Sequence, residues 1–130
     1  MNEVKILIID DYKDTLETIK DAIEISFDCV KVETVIDGVD GYGLCCIKKY
    51  DIIICDFKMP ILNGDQTCKY IQKSEDSLNR NTPIIVMSEF ISDIKEEHDT
   101  SFATSLITKP VEINDLVTLI EGSLGSKLCA

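Results

Sequence analysis

Two adjacent acids, Asp10-Asp11, a third acid, Asp56, a hydroxyl, Ser88, and an amine, Lys109, each stand at the end of a short run with strand character. Carboxylates are ligands that a hard divalent cation takes, and a carboxylate can also act as a covalent nucleophile. A hydroxyl and an ammonium can hydrogen-bond and neutralise an anion. Taken singly, each residue also has an ordinary reading. Asp10-Asp11 suits a helix N-cap pair with Asp14 continuing the first turn, Asp56 a cap or turn residue, Ser88 a turn residue, and Lys109 a solvated lysine. What separates the readings is whether the chain brings all five to one place.

The stretch around Asp56 organises that question. Ile52 to Cys55 is apolar without alternation and rich in β-branched residues, which predicts a central parallel strand covered on both faces. Open α/β sheets place their ligands at the carboxyl ends of such strands, where Asp56 stands. Met59-Pro60 and Asn63-Gly64 then punctuate a short loop before a helix from about Asp65 to Lys73, with Cys68 and Ile71 inward.

The rest of the chain alternates in the same manner. Val4 to Ile9, broken by Lys5, predicts a buried strand ending on Asp10-Asp11. Leu16, Ile19, Ile23 and Phe27 set one apolar stripe on a helix from about Asp14 to Phe27. Val30, Val32 and Val35 mark a short strand. After Asp37-Gly38, a stripe of Val39, Tyr42, Cys46 and Tyr50 predicts a second helix, in which Gly41 and Gly43 each cost about 1 kcal/mol relative to Ala. Ser74 to Thr82 reads as a polar loop, and Pro83 to Met87 as a fourth strand ending on Ser88. Ile91, Ile94 and His98 suggest a thin, charged helix, with His98 a solvated residue. Ala103 to Thr108 predicts a fifth strand ending on Lys109-Pro110, and Ile113, Leu116, Val117, Ile120 and Leu124 a last helix.

Five strands alternating with five helices predict a doubly wound α/β parallel sheet, because parallel neighbours need crossover helices. Right-handed crossovers with one reversal of winding give the flavodoxin-like strand order 2-1-3-4-5. In that order Asp10, Asp11, Asp56, Ser88 and Lys109 fall at the carboxyl ends of strands one, three, four and five, where one cleft can hold them.

Composition bounds the function. The 130 residues suit one domain (1–130) with its core at about 4–124 and a frayed tail over 125–130. The formal net charge of −11 repels phosphate backbones and anionic membranes, so direct nucleic-acid or membrane binding is not expected. No apolar run reaches the roughly 18 residues of a membrane span, and Met1-Asn2-Glu3-Val4 lacks a signal-peptide pattern, which predicts a cytoplasmic location. The six cysteines lack CxxC spacing and read as reduced packing residues.

From about Val4 to Leu124 the chain resembles the receiver domains of two-component response regulators. Asp10-Asp11 is similar to that family's acidic pair, Asp56 to its phosphoacceptor, Met59-Pro60 and Gly64 to its loop signature, Ser88 to its hydroxyl residue and Lys109-Pro110 to its Lys-Pro. The resemblance implies Mg²⁺ held by Asp11, Asp56 and the backbone carbonyl of Lys58, with Asp10 holding a coordinated water. It also implies that Ser88 and Lys109 contact the phosphoryl oxygens, and that positioning and charge neutralisation do most of the catalysis. The implied partners are a histidine kinase or histidine phosphotransfer protein as donor, and a downstream protein or output domain as recipient. On this reading the chain is a signalling switch and not a turnover enzyme, working alone or as part of a longer regulator or hybrid kinase.

Three positions depart from the pattern: Glu89 where Ala or Gly is usual, Leu106 where an aromatic switch is common, and Phe102 where Gly is common. Glu89 and Leu106 lend weight to the alternative of a pseudo-receiver, an interaction module working without phosphorylation, but the set of acids, hydroxyl and lysine that phosphorylation needs is complete. A haloacid-dehalogenase-like phosphatase would need a second acid two positions after Asp56, where Lys58 stands.

Overall fold

The computed structural model describes residues 3–59, 61–89 and 101–125. The near-continuous apolar runs form five strands: β1 (Val4–Ile9), β2 (Val30–Val35), β3 (Ile52–Asp56), β4 (Ile84–Ser88) and β5 (Ser105–Thr108). All neighbours are parallel and the order is β2-β1-β3-β4-β5. Among the described residues the helices are α1 (Lys13–Ser26), α2 (Gly38–Ile47), α3 (Gly64–Lys73) and α4 (Ile113–Leu124). The helix expected over Ile91 to His98 lies outside the described residues, so four of the five expected helices are seen.

Alternation along the central strands divides the core into two layers. Ile6 and Ile8 of β1 and Ile52 and Ile54 of β3 face α1 and α4, meeting Leu16, Ile19, Ile23, Leu116 and Ile120. Leu7, Ile9, Ile53 and Cys55 face the other way, onto Cys45, Cys68 and Ile71 of α2 and α3. The strands therefore read as continuous apolar runs because both faces are covered. Burying an aliphatic side chain completely contributes about 1.5–3 kcal/mol, and Ile6 to Ile9 and Ile52 to Ile54 have no exposed surface at all.

The apolar stripe expected for α2 is corrected by the structure. Its buried residues are Gly38, Gly41 and Cys45, while Val39 is exposed and Tyr42 and Cys46 are half-buried. The cause is close approach: a Cβ on Gly41 would stand 2.5 Å from Ile9 Cδ1, and one on Gly38 would collide with the Thr67 hydroxyl. The glycines are the packing face. Tyr50 is buried, but it lies beyond the helix, just ahead of β3, with its hydroxyl donating to Glu33 at 3.1 Å.

The stretch 74–82 is polar as expected, yet Ser77, Asn79 and Thr82 are buried. The Asn79 carboxamide accepts from Tyr50 N (2.8 Å) and Thr82 Oγ1 (2.9 Å) and donates to the carbonyls of Cys45 (2.9 Å) and Lys48 (2.7 Å). One side chain thus ties the end of α2 to the start of β3, satisfying four groups that burial would otherwise penalise. Strand β5 starts at Ser105, two residues later than the pattern suggests. Phe102 is buried in the layer beneath α2 and α3, and its carbonyl accepts from Gln72 Nε2 at 2.7 Å; Leu106 packs partly buried against the same layer.

Candidate functional site

Strands β1, β3 and β4 end on Ile9, Asp56 and Ser88, and backbone hydrogen bonds continue the alignment past those ends. Asp10 N donates to the Val35 carbonyl (3.2 Å), Phe57 N to Met87 (2.9 Å) and Lys109 N to Ser88 (2.9 Å). The carboxyl ends therefore stay in register as the chain leaves the sheet. The loop after β3 closes tightly, with Gly64 N donating to the Phe57 carbonyl at 2.7 Å. Gly64 lies against the Asp56 carbonyl, and a Cβ there would stand 2.7 Å from Phe57 Cα, so a larger residue would push the loop off the acid. Asn63 N donates to Gln66 Oε1 at 3.0 Å, fixing the entry into α3.

The carboxylates of Asp10, Asp11 and Asp56 converge, each offering an oxygen within 4.8 Å of the others. Asp10 is completely buried; its Oδ1 accepts from Tyr12 N at 2.9 Å and its Oδ2 from Lys109 Nζ at 3.1 Å. Lys109 Nζ is also 3.1 Å from Asp56 Oδ1. Asp11 is exposed and Asp56 almost fully buried. Burial, the Asp10 charge and, more weakly, Asp11 raise the Asp56 carboxyl from its ordinary 3.8 to about 6, against the lowering pull of Lys109. Burial would lower the Lys109 amine, but the attraction of Asp56 and Asp10 outweighs it and the net direction is upward.

Among the described residues, three convergent acids with the Lys109 ammonium in contact with two of them leave an excess of negative charge in a partly desolvated site. Oxygen donors in this arrangement fit a hard divalent cation of the Mg²⁺ type, which takes one or two carboxylates and completes its shell with water and phosphate oxygens. Lys58 lies in the loop directly after β3 and lines the cleft, its side chain largely exposed. Ser88 is buried at the end of β4 and faces the same cleft. The structure thus brings Asp10, Asp11, Asp56, Lys58, Ser88 and Lys109 together. Pro60 and His98 lie outside the described residues. The Lys109–Pro110 peptide bond is cis.

The cleft, of about 930 Å³, extends beyond these residues along a wall that sequence reasoning missed. Thr15, Thr18 and Ile19 of α1 line it, together with Pro110, Val111 and Ile113. The signal was present but weak: Thr15 and Thr18 are three apart on the flank of α1, beside the Leu16 and Ile19 stripe. Nothing in their residue types separated them from an ordinary polar flank.

A family model described as the response regulator receiver domain matches residues 6–121. The response regulator ArlR of Staphylococcus aureus is 27% identical over 121 residues, which are 92% of this chain and 52% of that protein. The chain therefore spans about half the length of the curated relatives it matches. Among solved structures, the receiver domain of the Francisella response regulator 1452 superposes with a TM-score of 0.82 at 28% identity, covering 96% of this chain and 99% of that one. The receiver domain of a sensor histidine kinase from Pseudomonas aeruginosa PAO1 gives a TM-score of 0.82 at 23% identity, covering 95% and 99%; its structure has a magnesium ion coordinated in the active-site cleft. At that identity the likeness speaks for the fold.

Proposed function

The chain belongs to the response regulator receiver domain family, and on that premise we propose that it is a switch in a two-component phosphorelay, phosphorylated on Asp56. The observation that carries this reading is the position of Lys109 Nζ, 3.1 Å from Asp56 Oδ1 in a cleft where three carboxylates converge. Asp11, Asp56 and the backbone carbonyl of Lys58 would hold Mg²⁺, with Asp10 holding a coordinated water. When bound, the ion supplies positive charge that lets an anionic donor approach an anionic nucleophile.

Asp56 attacks phosphorus with an oxygen that needs no general base, because the carboxylate is the reactive form. The phosphorus–nitrogen bond of a phosphohistidine donor breaks as the Asp56 oxygen–phosphorus bond forms. The Ser88 hydroxyl donates to the phosphoryl oxygens, and the Lys109 ammonium neutralises them. The short, glycine-closed loop holds Asp56 in line, so positioning contributes much of the rate. Each phosphoryl group received changes the state of the chain itself, which makes it a switch and not a turnover enzyme.

The donor is a histidine kinase or histidine phosphotransfer protein, the recipient of the signal a downstream protein or an output domain, and the setting the cytoplasm. Among the described residues no helix is long and apolar enough to cross a membrane. The pseudo-receiver alternative draws on exposed Glu89 at the cleft and on Leu106 in place of an aromatic switch.

One experiment separates the two. The protein is incubated with Mg²⁺ and phosphoramidate or acetyl phosphate, and the intact mass is measured. The expected result is one added phosphoryl group, labile to alkali and to hydroxylamine as acyl phosphates are, and absent from Asp56→Asn. An unmodified mass with both donors favours the pseudo-receiver, and label retained on Asp56→Asn rejects the site.

A further inference from the structure

Among the described residues the wall of the cleft carries acids beyond the three that converge at Asp56. Asp14 and Glu89 line it in addition to Asp11 and Asp56, with Asp10 buried behind. Among the described residues the cations lining it are Lys58 and Lys109, and the Lys109 amine already lies against Asp10 and Asp56. Glu89 follows Ser88 directly at the end of β4, and its side chain is exposed. It therefore stands at the mouth, where an incoming phosphodonor passes before it reaches Asp56.

Resting on the phosphoacceptor reading above, we infer that Glu89 is a specificity-determining residue that selects donors by charge, disfavouring small dianionic phosphodonors relative to donors whose leaving group is cationic. A carboxylate at the mouth of a partly desolvated cleft repels an approaching dianion more than a donor with one negative charge fewer. The wall concentrates that field because its dielectric is low. A phosphohistidine with a protonated imidazole carries one negative charge fewer at the transferring group, so the same carboxylate costs it less. Among the described residues the ion pairs of the site run from Lys109 to Asp10 and Asp56, and Glu89 takes part in neither.

The test compares two probes. Acetyl phosphate is a dianion near neutral pH, whereas phosphoramidate carries one negative charge fewer because its nitrogen is protonated. Phosphorylation rates with each are followed by intact mass for the parent, Glu89→Gln and Glu89→Ala, all in Mg²⁺ and after melting curves have established that each is folded. Glu89→Gln keeps the size and removes the charge. It is expected to raise the acetyl phosphate rate about three- to tenfold and the phosphoramidate rate clearly less. The gain should shrink as salt rises from about 0.05 M to about 0.5 M, because screening weakens interactions between exposed charges.

Acceleration by Ala but not by Gln would mean a steric barrier and overturns charge selection. Equal acceleration with both donors, or parental rates in Gln, overturns it as well. These outcomes are distinct from failure of the phosphoacceptor reading, in which the parent and both variants stay unlabelled and both proposals fall together. A parent that takes up phosphoryl while Asp56→Asn does not preserves that reading whatever Glu89 does.

Discussion

Lys109 Nζ stands equidistant between two acids, 3.1 Å from Asp10 Oδ2 and 3.1 Å from Asp56 Oδ1, although the residues come from three different strand ends. One ammonium thus spans the cleft from β1 to β3 while its own backbone nitrogen donates to the end of β4 at Ser88. A phosphoryl group on Asp56, as proposed above, would replace a single-charged acceptor by a more highly charged one and would place this amine between two competing partners.

Replacing it should therefore separate modification from response. Lys109→Ala is expected to accept phosphoryl more slowly, yet to lose most of the accompanying surface change. Amide chemical-shift differences between the modified and unmodified forms should collapse in this variant by more than the extent of phosphorylation falls. Shift differences equal to those of the parent would place the coupling elsewhere.

The raised Asp56 carboxyl makes a pH prediction for the metal-free protein. Its folded value of about 6 exceeds its ordinary 3.8, so the folded state binds a proton that the unfolded chain does not between those pH values. This contribution is present in full below about pH 4 and is lost as pH rises through 6. Asp56→Asn removes the titration, and at pH 7.5 it should be more stable than the parent by roughly 2–3 kcal/mol. The advantage should fade near pH 4, which urea unfolding in a chelator at both pH values measures; a gap that is constant with pH contradicts the assignment.

A divalent cation acts on the same excess of acid from the other direction. Mg²⁺ at about ten times its Kd should raise the Tm by roughly 3–6 °C, since binding to the folded state alone stabilises it. Asp11→Asn should lose most of that increment. Equal increments in parent and variant would argue that the ion is not held by Asp11.

Two glycines of α2 should respond with opposite signs. Gly41 lies against Ile9, and Gly41→Ala should cost about 1–3 kcal/mol by overpacking. Nothing stands within 4 Å of a Cβ at Gly43, where Ala should stabilise by up to about 1 kcal/mol. Thermal melts of the two variants check this, and destabilisation by both would mean that the helix is not seated on the sheet as described.

Asn79→Ala leaves the Tyr50 N–H and the Cys45 and Lys48 carbonyls without their carboxamide partner. A loss of about 2–4 kcal/mol in chemical denaturation is expected, a large share of the stability of a domain this size. A loss below about 0.5 kcal/mol would show that the loop repairs its bonds in another way.

What the sequence alone determined was the order of things along the chain. Unbroken apolar runs rich in β-branched residues, such as Ile52 to Cys55, admit a strand covered on both faces, and their alternation with helical stripes leaves few topologies. Asp10, Asp11, Asp56, Ser88 and Lys109 could be placed at strand ends for that reason, and the structure finds them in one cleft. The stripes of α1 and α4 were legible because the buried residues, Leu16, Ile19 and Ile23 in one and Leu116, Ile120 and Leu124 in the other, are all apolar and recur at helical spacing. That rule failed in α2, where Gly38 and Gly41 form the buried face: a missing side chain shows in a sequence as low helix propensity, and only the position of Ile9 turns it into a contact. It failed again at Asn79, whose polar type indicates solvent, whereas the buried carboxamide is satisfied by backbone groups of Cys45, Lys48 and Tyr50 from a distant part of the chain and by the nearby Thr82 hydroxyl. The Lys109 bridge to Asp10 and Asp56 and the upward shift of the Asp56 carboxyl belong to the same class. They depend on distance and desolvation, which vary continuously with packing and are set by residues up to 99 positions apart.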